Sequence, residues 1–156
     1  MTDIDYNEMI HSDTIFLNLH AENRNALFNT IASRLRSLKY VNDSYLSALE
    51  KREDEFPTGL ISKYLTIALP HADPINVNKP FLAIAKNYKT IDMRQMGNNE
   101  KIATKYFFFL GITNPSYQVI LLKKFVELLR DKNFCDNFKR QKSCDEMYEF
   151  LKRSFL

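Results

Sequence analysis

The sequence predicts an α/β fold, a small mixed β-sheet flanked by helices on both faces in a three-layer α/β/α arrangement. Three observations carry this. Apolar runs of strand length are interspersed with segments whose apolar residues recur at helical spacing. One run, Tyr106-Phe107-Phe108-Phe109-Leu110, is apolar throughout and calls for cover on both faces. The two element types also do not alternate strictly: helix pairs intervene and some strands follow one another, which disfavours a closed α/β barrel. With 156 residues, 45% of them hydrophobic, the chain has the size and apolar content of one domain, residues 1–156, around a single core.

In chain order, Thr14-Ile15-Phe16-Leu17-Asn18 reads as the first strand. From about Glu22 to Leu38, Leu27, Ile31, Leu35 and Leu38 form one helical stripe. Asn42 reads as the N-cap of a second helix reaching about Asp54, with Tyr45, Leu46 and Leu49 inward. Phe56-Pro57-Thr58-Gly59 ends it, because proline forbids continuation and glycine permits the turn. Leu65 to Leu69 is a strand with Leu65, Ile67 and Leu69 on one face, and Phe81 to Ala85 is another. After the phenylalanine-rich strand, Asn114-Pro115 opens a strong helix to about Arg130, striped by Leu121, Leu122, Phe125 and Leu129. Shorter helices near 133–140 and 143–153 follow.

Composition narrows the function. The formal charge of +3, from 22 basic and 19 acidic residues, is too balanced for a dedicated nucleic-acid binder. No apolar run approaches the roughly 20 residues that span a bilayer. Met1-Thr2-Asp3-Ile4-Asp5-Tyr6 lacks the basic and apolar regions of a signal peptide, so a cytoplasmic location is expected. Cys135 and Cys144 have no histidine at ligand spacing and read as small buried or half-buried thiols. There is no Gly-x-x-x-x-Gly-Lys loop and no carboxylate cluster with magnesium spacing, so neither metal nor cofactor is expected.

His71 is the leading candidate for chemistry. It follows an apolar run and a proline, where the carboxyl end of a strand opens onto a ligand crevice. The unperturbed imidazole pKa of about 6.5 leaves a neutral nitrogen available as nucleophile or base. Arg52 and Glu53 continue the inner stripe of the second helix, and Arg52 suits the helix's C-terminal end, while the five charged residues from Lys51 to Glu55 also read as solvated surface. Thr58 and Gly59 offer a hydroxyl and an unhindered amide to an anion. Gln118 lies in the first turn of the strongest helix, with Ser116 and Tyr117 beside it. It falls near His71 if the Leu69 and Phe109 strands run parallel.

Arg52-Glu53, then Pro57-Thr58-Gly59, then Ile67-Ala68-Leu69-Pro70-His71 resembles the signature of the fructose/mannitol-type IIA domain of the bacterial phosphoenolpyruvate-dependent sugar phosphotransferase system. The Phe-Pro-Thr-Gly wording is most similar to its galactitol-type branch. The resemblance implies that His71 carries a phosphoryl group, with Arg52 beside it and Glu53 as acidic neighbour. Gln118 departs from the second histidine of many members, and Asp73 from the glycine-type residue that often follows the Pro-His pair. The implied donor is the histidine phosphocarrier HPr, the acceptor a cysteine of a IIB component, and the membrane IIC component an indirect partner. A regulatory module of the same fold, switched by phosphorylation of His71, is the alternative.

Overall fold

The structure, a computed structural model, describes residues 4–156. The first three residues of the acidic segment read above lie outside them. Strand β1 spans Ile10–Leu19 and is followed by helices α1, Arg24–Ser37, and α2, Tyr45–Glu55. Two short strands come next, β2, Gly59–Ile61, and β3, Thr66–Ala68. Then come the long strands β4, Phe81–Arg94, and β5, Lys101–Gly111. Helices α3, Tyr117–Leu129, α4, Lys132–Arg140, and α5, Cys144–Phe155, complete the order.

The sheet runs β1-β4-β5-β3-β2 and is mixed. β1 lies parallel to β4, β4 antiparallel to β5, β3 parallel to β5, and β2 antiparallel to β3. The parallel register of β3 on β5, Ala68 opposite Phe107, is the condition the sequence reading needed to bring their ends together.

Strand pleating explains the three layers. Successive side chains of β5 point to opposite faces, so Phe107 and Phe109 join the core beneath α1 and α2, and Phe108 joins the core beneath α3, α4 and α5. All three rings are fully buried. Phe108 packs edge-on to Phe125 of α3 at 4.8 Å and stacks on Phe138 of α4 at 5.0 Å. Truncating such a ring costs about 3–5 kcal/mol. Leu65, Ile67 and Leu69 share the α3–α5 face, as their alternation predicts, and Ala68 faces the other core.

Four expectations need correction. β2 was not anticipated, because three residues beginning at a glycine carry too little pattern. β4 continues far past Ala85: Ile91 and Met93 are buried while alternate positions face solvent, so a half-exposed hairpin with Lys101–Thr104 extends the apolar run. Asn42 is not the N-cap of α2; Ser44 is, and Asn42 Oδ1 accepts from the Ser44 amide at 3.1 Å in the preceding turn. Cys135 is buried as expected, but Cys144 is exposed at the start of α5.

Candidate functional site

Two segments converge at the carboxyl end of β3. The last turn of α2 supplies Arg52 and Glu53, and the chain beyond β3 supplies His71. The sheet aims His71. The Leu110 amide donates to the Pro70 carbonyl at 3.0 Å, and His71 makes a parallel bridge with Leu110. Pro70-His71 is therefore a continuation of β3 along β5, with its backbone held on one side.

The imidazole folds back on its own strand. Nδ1 lies 2.7 Å from the Leu69 carbonyl oxygen. A carbonyl only accepts, so Nδ1 carries the proton and donates, which leaves the lone pair on Nε2. Nε2 is buried and has no hydrogen-bond partner among the described residues. Burial, first, and the nearby Arg52 charge hold the ring's pKa below its ordinary value, opposed by the Leu69 hydrogen bond and by Asp73. The balance favours the neutral ring.

Arg52 bounds the site. One Nη donates to Asp73 Oδ1 at 3.2 Å, and the guanidinium lies over the exposed Phe56 ring, 5.5 Å from its centroid. Arg52 Nε, like His71 Nε2, is buried without a partner among the described residues. An unpaired buried polar atom costs about 1–3 kcal/mol, so two at one corner mark an arrangement that an added group would relieve.

Glu53 and Thr58 turn inward instead. One Glu53 carboxylate oxygen accepts from the Thr58 amide and the other from its hydroxyl, each at 2.8 Å. The same hydroxyl oxygen accepts from the Leu69 amide at 3.2 Å. Leu69 thus joins both sets: its amide is held by the Glu53–Thr58 brace, and its carbonyl orients the His71 ring. Burial raises the Glu53 pKa against the lowering effect of the Thr58 bonds.

Gly59 has a packing reason for its identity. A Cβ there would come within 2.6 Å of the Arg94 carbonyl oxygen and 2.2 Å of Ile102 Cδ1. It lies opposite Ala68 in β2, and on its other side it bridges Gln95, with the Met96 amide donating to the Gly59 carbonyl at 2.8 Å, so its backbone is built into the sheet rather than lining an open anion site. Gln118 is half-buried at the start of α3, and its side chain makes no hydrogen bond among the described residues. Ser116 Oγ bonds Asn114 Oδ1 at 2.8 Å in the turn before that helix.

One expectation about His71 is revised. The sequence reading has its ring open at the mouth of the sheet; the residue sits at that strand end but is only 4% exposed. A surface cleft of about 570 Å³ between Glu22–Asn25 and Lys89–Asp92 contains none of the candidate residues. The residues that sequence reasoning passed over are Leu69, whose backbone orients the ring, and Asp73, noted only as a departure. Backbone carbonyls carry no sequence signal; an acid two positions from the histidine did.

The model of the family "Phosphoenolpyruvate-dependent sugar phosphotransferase system, EIIA 2" matches residues 8–154. The chain belongs to this EIIA family. Among its relatives is the galactitol-specific EIIA component of Escherichia coli K12, 26% identical over 100 residues, covering 64% of this chain and 67% of that protein. A fructose-specific EIIABC component of Mycoplasma pneumoniae is 30% identical over 93 residues, 58% of this chain but 12% of that longer protein. The fold matches IIA mannitol of Escherichia coli with a TM-score of 0.70 at 19% identity, covering 90% of this EIIA chain and 97% of that one. It also matches the nitrogen regulatory protein IIA-Ntr of Neisseria meningitidis, TM-score 0.74 at 18% identity, over 92% and 97% of the two chains. No helix among the described residues of this EIIA chain is long and apolar enough to cross a membrane.

Proposed function

We propose that this EIIA chain is a phosphohistidine carrier that takes a phosphoryl group from HPr onto His71 and passes it to the cysteine of a IIB component. The group then serves uptake, through a membrane IIC component, of a sugar or sugar alcohol. Galactitol is the candidate that its similarity to the galactitol-specific relative favours. The carrier works in the cytoplasm, where those partners meet it. The observation that carries this reading is the unpaired, buried Nε2 of a ring whose other nitrogen is pinned as a donor.

In the forward step the Nε2 lone pair attacks the phosphorus of the donor's phosphohistidine in line. The new N–P bond forms as the donor's N–P bond breaks, and that electron pair stays on the donor nitrogen. The Nδ1 proton remains on His71, where Leu69 accepts from it. Positioning and charge stabilisation dominate phosphoryl transfer. Arg52 supplies both, since its unpaired Nε can donate to a phosphoryl oxygen as one arm of a fork. Glu53 and Thr58 do not meet phosphorus in this reading; they hold Leu69, and through it the ring. Gln118 is a reserve donor at the head of α3.

The ring's burial requires that partner docking displace the side chains over it. The rim suits transient docking: Phe56 is 60% and Ile75 84% exposed, apolar anchors beside a charged centre. The similarity to a galactitol-specific EIIA favours transport over regulation.

Incubation with HPr, enzyme I and phosphoenolpyruvate, followed by intact-mass measurement, tests the reading. Wild type gains one acid-labile phosphate and His71→Ala gains none while keeping its circular dichroism spectrum. Absence of phosphate on wild type overturns the function; retained labelling of the variant moves it to another residue.

A further inference from the structure

We infer that Asp73 is a resident competitor for the phosphoryl group: it occupies Arg52 while His71 is bare, must yield Arg52 when the phosphoryl arrives, and thereby raises the readiness of phospho-His71 to give the group away. This rests on His71 and Arg52 being the phosphoryl site, and adds a positioning residue to it.

Three observations carry it. Asp73 Oδ1 is 3.2 Å from an Arg52 Nη, so one face of the guanidinium is engaged by an anion in the bare protein. Arg52 Nε remains buried and unpaired, so this engagement is incomplete. The Asp73 side chain is 71% exposed against 24% for Arg52, so the carboxylate can swing into water at little cost, whereas the guanidinium is held over Phe56.

A phosphoryl group on Nε2 carries close to two negative charges and three acceptor oxygens. The unpaired Arg52 Nε offers it the other edge of the same guanidinium, where it and the Asp73 carboxylate repel. The bare state therefore keeps the Arg52–Asp73 bond and the phosphorylated state forfeits it. That loss appears only on phosphorylation, so it shifts the equilibrium away from phospho-His71. A carrier that must hand its group onward gains from holding it less firmly. The backbone does not resist the exchange. The chain after Asp73 is pinned by the Asn76 side chain, which donates to the Asp73 carbonyl at 3.1 Å and accepts from Ser44 Oγ at 2.6 Å, leaving the carboxylate to move alone.

The test measures how the phosphoryl group partitions between the full chain and free imidazole, using N-phosphoimidazole as donor and ³¹P NMR as readout. In that exchange the His71 N–P bond replaces that of the small donor, and free imidazole leaves with the electron pair. Asp73→Asn is expected to raise the phosphorylated fraction, shifting the partition constant about threefold, the scale of a half-exposed ion pair. Asp73→Glu stays near wild type. In an Arg52→Ala background the Asp73→Asn change vanishes, because the shared partner is gone. An unchanged partition in Asp73→Asn overturns the inference, as does an equal threefold shift without Arg52, or no phosphorylation of His71 by the probe. Phosphate from the probe with none from HPr sinks the carrier reading and leaves the Asp73 competition standing.

Discussion

Arg52 and Glu53 are neighbours in the last turn of α2, yet their surroundings differ in kind. Glu53 is 3% exposed and both its carboxylate oxygens are hydrogen-bonded to Thr58. Arg52 is half-buried, and its Nε and the Nε2 of His71 have no partner among the described residues. Closed polar networks make a fold specific, whereas a buried polar atom left open calls for a partner. On the proposed function, the contrast divides the candidate residues into a brace, Glu53–Thr58–Leu69, and a receiving pair, Arg52 and His71.

The division breaks first if Arg52 does not matter to rate. Arg52→Ala removes a donor aimed at developing charge and should slow phosphoryl uptake from HPr by about 10²-fold, with stability little changed. Rapid-quench measurement checks this, and an unchanged rate returns Arg52 to the solvated surface. Thr58→Val sharpens the other side. It strips Glu53 of one partner and the Leu69 amide of another, and should cost about 1–3 kcal/mol in urea unfolding. A neutral result would remove Thr58 from the brace.

The smallest effect is on pH. Burial and then Arg52 depress the His71 pKa, so the neutral, nucleophilic ring persists below the ordinary imidazole value of about 6.5. Phosphoryl uptake should stay level as pH falls through that value and decline only lower. Stability follows the same window with its own sign. Below about 6.5 the unfolded chain binds a proton that the native ring refuses, so this residue's contribution weakens as pH falls toward its native pKa. Following the His71 ring signals by NMR over pH 5–8 tests both; titration above 6.5 contradicts them.

Much of the fold could be read in the chain because its signals are large. Three successive phenylalanines in β5 require two cores, and the stripes of α1 and α3 supply them. What escaped was short or half-exposed: β2, and the hairpin extension beyond Ala85, whose period-2 pattern is diluted by lysines and threonines. At the site, His71 and Arg52 were legible from strand end and helix stripe, and the Arg52 charge lies near enough to act on the His71 ring. The inward turn of Glu53 and Thr58 was not, because a carboxylate in a run of charges from Lys51 to Glu55 looks solvated until tertiary contacts bury it. The burial of the His71 ring is likewise a product of tertiary packing.

The central claim is that Nε2 of His71 is the atom that receives phosphorus while Nδ1 keeps its proton on the Leu69 carbonyl. Phosphorylating ¹⁵N-histidine-labelled protein with HPr, enzyme I and phosphoenolpyruvate, and recording the ring nitrogens with their phosphorus couplings, measures it directly. The account predicts a coupling to Nε2 of His71 and a protonated Nδ1. Phosphorus on Nδ1, or on His11 or His20, would contradict it.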